Sequence, residues 1–138
     1  MENFITKKSQ KVKKLEKAFT KQIKKIKLEN GWSAMIGKNS KNNDLILTKF
    51  SSKNDWWFHV RNVQGSHIIL HNSDKNMIPN PNILLKVSKL AVKNSKAKFS
   101  SNVAVDYTKV KYVRKPKKAP AGFVIYNNFK TIICSSDK

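Results

Sequence analysis

Asp55-Trp-Trp-Phe-His-Val-Arg-Asn-Val-Gln-Gly-Ser-His67 gathers an acid, two tryptophans, two histidines, an arginine and a Gly-Ser turn into one short stretch. Three chemistries are open to such a set. Asp55, His59, Ser66 and His67 could act as general base and nucleophile in a nuclease or hydrolase. The histidines could ligate a metal. An exposed tryptophan beside positive charge could stack on a base or ribose. The metal reading weakens on spacing. His67 and His71 are separated by Ile68-Ile-Leu70, which reads as strand, and four strand residues span roughly 13 Å, too far for one ion. His59 and His67 flank the Gly-Ser turn and can lie across from each other, with Asp55 nearby. The single Cys134 excludes an internal disulfide and any cysteine-based zinc site. Hydrolysis is poorly supplied: the sequence has no nucleophile elbow or P-loop, and only eight carboxylates in all. No cofactor and no metal are therefore expected. Stacking remains, and Trp57 with His59 is its expected carrier. In a strand, neighbours face opposite ways, so one of Trp56 and Trp57 should lie at or near a surface.

The charge balance supports a polyanionic partner. Against those eight acids stand 29 basic residues, a net charge of +21, and such self-repulsion is relieved by binding nucleic acid. All of the basic residues except Arg61 and Arg114 are lysine. Lysine meets phosphate as a mobile point charge, whereas arginine forks onto base edges, so the bias favours backbone and shape over sequence. AT-rich coding also raises Lys, Asn and Ile, but it does not explain why the acids were left so few. Gly37-Lys38-Asn39 with Asn42-Asn43 reads as one anion-binding turn, and Gly65-Ser66 as a second. Lys93, Lys96 and Lys98 gather at the end of a helix, and Lys115, Lys117 and Lys118 crowd one loop.

The elements that must position these residues follow from periodicity. Residues 7–30 predict a basic amphipathic helix, with Val12, Leu15, Phe19, Ile23 and Ile26 on one stripe and Asn30-Gly31 as its cap. From Gly31 the period shortens. Trp32–Ile36 reads as a strand, Gly37–Asn43 as a polar turn, and Asp44–Lys49 as either strand or short helix. Asp55–Val60 and His67–His71 form a hairpin about Gln64-Gly65-Ser66. Ile83–Ser95 predicts a second helix. Val103–Val105 and Lys109–Arg114 read as strands around an Asp106-Tyr107-Thr108 bend, followed by Gly122–Tyr126 and Lys130–Cys134. The order predicts an α+β fold: a single domain over residues 31–138, its largely antiparallel sheet packed by a helix, after an N-terminal helix in residues 1–30. No apolar run approaches the roughly 18 residues of a membrane span, and no signal segment is evident. A cytoplasmic protein with no membrane partner is expected.

Four motifs in order, Gly37–Asp44, Asp55–His67, Ser95–Lys98 with Val105–Val110, and Arg114–Pro116 through Gly122–Tyr126, resemble the NFACT-R domain over about residues 31–134. That domain is the C-terminal RNA-binding module of a family that includes RqcH-type ribosome quality-control factors and bacterial proteins labelled fibronectin-binding. The family's glycine-lysine-asparagine turn falls on Gly37, Lys38 and Asn39, with its Asn-Asp pair at Asn43-Asp44. Its aspartate–tryptophan–histidine signature falls on Asp55, Trp57 and His59, its Gly-Ser-His on Gly65, Ser66 and His67, and its lysine-proline loop on Lys115 and Pro116. Lys117-Lys118 stands where members often continue with glycine. Longer members carry a glycosylase-like domain, a helix-hairpin-helix unit and a coiled coil before this module, and residues 7–30 look like a remnant of that coil. The resemblance thus implies a stand-alone RNA binder without C-terminal tail synthesis.

The expected function is non-enzymatic binding of tRNA or ribosomal RNA, with the large ribosomal subunit as a candidate platform. The expected contacts are Lys38, Asn39, Asn43, Asp55, Trp57, His59, Arg61, Ser66, His67, Lys96, Lys98, Lys115, Lys117 and Lys118. The competing readings are a protein-interaction module that pairs through residues 7–30, with a partner or with itself, and a hydrolase built on Asp55, His59 and His67.

Overall fold

The computed structural model describes residues 23–137. They form a six-stranded sheet in which every neighbouring pair is antiparallel: β1 (Ile23–Lys27), β2 (Trp32–Gly37), β3 (Trp56–Val60), β4 (Ile68–Asn72), β5 (Val103–Lys109) and the C-terminal β8 (Lys130–Cys134). The order across the sheet is β1-β2-β4-β3-β5-β8. A separate ribbon pairs β6 (Val113–Arg114) with β7 (Ile125–Tyr126). Among the described residues two α-helices complete the fold, α1 (Ser40–Leu45) and α2 (Pro81–Lys93). The architecture is α+β with an antiparallel sheet packed by a helix. No helix of the described residues is long and apolar enough to cross a membrane.

Both faces of the sheet are covered, and strand alternation assigns each side chain to one of them. On one face α2 lies across the strands. Asn80 caps it by accepting the Ile83 N–H at 2.9 Å, and Pro81 opens the first turn. Ile83, Val87 and Ala91 then form its buried stripe, packed with Trp32, Ala34, Phe58, Leu70, Val105 and their neighbours. On the other face α1 runs into a wider π turn, Ile46–Phe50, which lays Ile46 and Leu47 over Trp57 and Ile69. The β6–β7 ribbon closes that side with Val113, Val124 and Tyr126.

Four expectations change. Lys109–Arg114 is not one strand, since a tight 3-10 turn, Val110–Tyr112, separates β5 from β6. Of the helix expected over residues 7–30, residues 7–22 lie outside the described residues, but Ile23–Lys27 is β1, paired with β2 from Ile23↔Gly37 to Lys27↔Ser33. A three-residue step suits one helix stripe, yet in a strand it sends Ile23 and Ile26 to opposite faces. Both faces are apolar here: Ile23 joins the π-turn cluster and Ile26 packs against the α2 cluster. Asp106-Tyr107-Thr108 is no bend but the middle of β5, in register with His59, Phe58 and Trp57. Of the expected Gly122–Tyr126 strand only Ile125–Tyr126 is extended, and it pairs with β6 in the ribbon, away from β8.

The hairpin of β3 and β4 has the expected pairing, Trp56↔Leu70 to Phe58↔Ile68. Its connection is held from outside. Gly65 bridges Ser95, the Ser66 N–H donates to Asn94 O at 2.9 Å, and the Lys96 N–H donates to Gln64 O at 2.9 Å. The approach is close enough that a Cβ on Gly65 would sit 2.6 Å from Ser95 Cβ and 2.9 Å from its Cα. Gly65→Ala should therefore push the segment after α2 off the hairpin and cost about 1–3 kcal/mol. Urea unfolding checks this, and an unchanged midpoint would show that the two backbones have room to separate.

Candidate nucleic-acid interface

The docking of Gln64–Ser66 on Asn94–Lys96 makes one wall and the floor of a cleft of about 430 Å³. The other wall is the turn from β2 into α1, with Lys38, Asn39 and Ser40. Lys38, Lys93, Lys96 and Lys98 line the cleft together with Ser66 and several amides, and no Asp or Glu does. All four lysines are exposed. Convergent ammonium groups with neutral hydrogen-bonding groups between them suit an anion such as phosphate.

The two walls are tied by one buried side chain. Asn43 Oδ1 accepts the His67 N–H at 3.0 Å, and its Nδ2 donates to Gly65 O at 3.3 Å. Gly37 leaves the room for this, since a Cβ there would lie 2.1 Å from Asn43 Oδ1. Asn39 caps α1, its Oδ1 accepting the Asn42 N–H at 2.8 Å. The glycine-lysine-asparagine turn and the Gly-Ser-His turn are thus one unit. Lys38 and Ser66 are left facing the cleft, while Asn39 and Asn43 line it with much of their hydrogen-bonding capacity already used.

The tryptophan-histidine stretch sits elsewhere. Trp57 is 0% exposed, enclosed by Tyr126 at 4.6 Å, His67 at 5.3 Å and His59 at 5.9 Å between ring centroids. An indole so enclosed offers no face to a base, which corrects the expectation that Trp57 stacks on the ligand. Trp56 is the partly exposed member of the pair, its ring tilted against Tyr107 at 6.0 Å. His67 is also buried, and its Nδ1 and the Trp57 Nε1 have no hydrogen-bond partner among the described residues. Burial first, then the nearby His59 and Lys115, push the His67 pKa down to about 3. His59 is half-buried, and burial lowers it as well, against a weaker pull from the Gly65 backbone and Asp106.

The acids of this region are already occupied. Asp55 is buried, accepting the Ser52 N–H at 2.8 Å and meeting His71 Nδ1 at 2.6 Å. Four strand residues, roughly 13 Å, separate it from His59, so the expected base-nucleophile set of Asp55, His59 and His67 is not brought together. Among the described residues no three metal-ligating side chains converge. Arg61 lays its guanidinium on Asp106 through Nε at 3.0 Å and Nη2 at 2.8 Å, and Tyr126 and Thr131 also donate to that carboxylate at 2.6 and 2.8 Å. Burial alone would raise Asp106; the donated bonds outweigh it and hold the carboxyl below its usual range. Lys115 lies 3.3 Å from Asp44 and donates to Pro120 O, whereas Lys117 and Lys118 are exposed.

Sequence reasoning missed two features. Gln64, Asn94 and Ser95 belong to the cleft because of the Gly65–Ser95 bridge, a pairing across thirty residues that no local pattern announces. Phe99 is 93% exposed beside Lys98, whose Nζ stands 5.1 Å from its ring. Its only signal was a lone aromatic between lysine and a serine pair.

Comparison with known proteins gives consistent results. The family model of the NFACT protein RNA binding domain matches residues 19–128. The Rqc2 homolog RqcH of Bacillus subtilis is 31% identical over 134 residues, which is 97% of this chain and 23% of that protein. Its counterpart in Streptococcus suis is 34% identical over 98 residues, 71% of this chain and 17% of that protein. The chain thus spans less than a quarter of these curated relatives. Among solved structures, the C-terminal part of the fibronectin/fibrinogen-binding protein from Streptococcus suis superposes with a TM-score of 0.74 at 30% identity, covering 83% of this chain and 45% of that one.

The buried His67 makes a pH prediction. The unfolded chain takes up this proton near pH 6.5 and the folded one only near 3. Between those values the unfolded state binds more protons, so stability should fall as pH drops, by about 1 kcal/mol per unit for one such group. Asp106, lowered in the fold, keeps its contribution above about pH 4 and loses it only below. Urea midpoints measured from pH 7 to 4.5 should slope downward, and His67→Gln should make the slope shallower, with His59 keeping its share. A flat wild-type curve would refute the neutral buried ring.

Proposed function

The chain belongs to the NFACT protein RNA binding domain family, and on that premise we propose that it is a non-enzymatic RNA-binding protein of translation or ribosome-associated quality control in the cytoplasm. Its ligand on this reading is structured RNA, tRNA or ribosomal RNA, held by its backbone. The carrying observation is the cleft lined by Lys38, Lys93, Lys96 and Lys98 without a single carboxylate. Phosphates enter between the two walls, the ammonium groups neutralise them, and Ser66 gives a neutral hydrogen bond. Exposed Lys117 and Lys118 add charge farther along the same RNA. The absence of arginine from the cleft fits recognition of the helical backbone over base edges.

The relatives named RqcH are several times longer than this chain, and the proposal takes from them the process without the whole protein's activity. A catalytic reading has no comparable support, since Asp55 is committed to His71 and Asp106 to Arg61.

Fluorescence anisotropy with labelled tRNA and with a ribosomal RNA hairpin tests this. Affinity should fall steeply between about 50 and 200 mM salt. Replacing Lys93, Lys96 and Lys98 together by alanine should make log K against log salt shallower by about 0.9 for each duplex phosphate that these lysines neutralise. Binding indifferent to salt, or a triple variant with the wild-type slope, removes the cleft from the interface. Competition between the two RNAs assigns the ligand.

A further inference from the structure

A second groove, of about 420 Å³, opens at the N-terminal end of α2, the opposite end from the lysine cleft. Partly exposed Trp56 and Tyr112 line it, with Leu84 from α2. Lys109, Lys111 and Lys130 stand around it, and no Asp or Glu lines it. The register of the sheet makes this arrangement, because Lys109 on β5 lies directly opposite Trp56 on β3. Its Nζ stands 5.4 Å from the Trp56 ring centre, and Lys111 Nζ stands 5.1 Å from that of Tyr112.

Aromatic rings under lysines, with no carboxylate between them, suit a ligand that is planar at one end and anionic at the other. An unpaired nucleotide has that form. A lysine resting on a partly exposed ring is held more weakly than a stacked base, so a base can displace it and leave the ammonium free for the adjoining phosphate. An acidic protein segment would match the charge but would leave the ring faces without a planar partner.

We propose that this groove is a second RNA contact, which takes an unpaired nucleotide with its base on Trp56 or Tyr112 and its phosphates on Lys109, Lys111 and Lys130. It rests on the RNA-binding function proposed above but is independent of the lysine cleft. The 13 residues of α2 separate the two sites by roughly 20 Å. The cleft would therefore hold a helical backbone while the groove takes a loop or single-stranded flank of the same molecule.

The protein carries its own probe. Trp32 and Trp57 are 4% and 0% exposed, so a stacked base reaches only Trp56 among the three tryptophans. Titration with hexauridylate should quench the tryptophan emission of the full chain. Tyr112→Ala should weaken hexamer binding about tenfold, and so should Lys109→Ala paired with Lys111→Ala. Trp56→Phe, checked for folding by thermal unfolding, should abolish the quench while binding by anisotropy persists. The triple lysine variant of the cleft should keep it. A hexamer that binds without quenching, or a Tyr112→Ala protein with unchanged hexamer affinity, overturns the groove and leaves the cleft standing. A retained quench with no effect of the cleft lysines on tRNA binding has the reverse meaning.

Discussion

The buried amide of Asn43 is the side chain on which the cleft depends. It fills the hydrogen-bonding positions that a neighbouring strand would supply at Gly65 O and the His67 N–H. An unpaired backbone pair there would cost about 1–3 kcal/mol for each group. Two glycines make the arrangement possible, Gly37 by leaving space for the Asn43 side chain and Gly65 by letting the hairpin meet Ser95. One continuous chain of close approaches thus runs from β2 through α1 and the hairpin to the end of α2. The four lysines of the cleft come from both ends of that chain. Their convergence is a product of backbone packing, which is how like charges are held together against their own repulsion.

Most acids of the described residues complete that arrangement by being held in pairs and turns. Asp106 is held by Arg61, Tyr126 and Thr131, Asp55 by His71 and the Ser52 N–H, and Asp44 by Lys115 and the Gly122 N–H. Glu29 meets Lys86 at the surface, and Asp74 closes its own loop by accepting the Asn76 N–H. None of these lines the cleft, and Asp137 stands outside it, around the adjoining pocket that Lys93 and Lys98 also border. Charge is thereby distributed unevenly over the described residues. Pairs that position β5, the ribbon and the β3 turn are neutralised, and the excess is displayed where a polyanion can reach it.

The hairpin, α2 and the antiparallel sheet were legible because they depend on local period and turn chemistry. Trp56 and Trp57 show where that information ends. Alternation required the two rings to face opposite ways, and they do, but it could not say which face is left partly open. That depends on the π turn and the ribbon, which arrive from residues 46–50 and 113–126 to enclose Trp57. Asp106 was read as part of a bend because an acid inside a central strand has no local justification. Its justification is Arg61, forty-five positions earlier in the chain. Ile23 and Ile26 fit a helix or a doubly covered strand equally well until the partner β2 is known.

The same distinction separates signature from contact surface. Asp55, Trp57 and His67 are the most conspicuous residues of the sequence, and all three are buried. They close the turn that leads into β3, fill the core under the ribbon and pack an imidazole ring against it. The residues free to meet a ligand are plain lysines, a serine and partly exposed rings whose side chains carry little information by themselves. What sets the spacing of the charges is the frame, so on the proposed reading the buried residues act on recognition through distance.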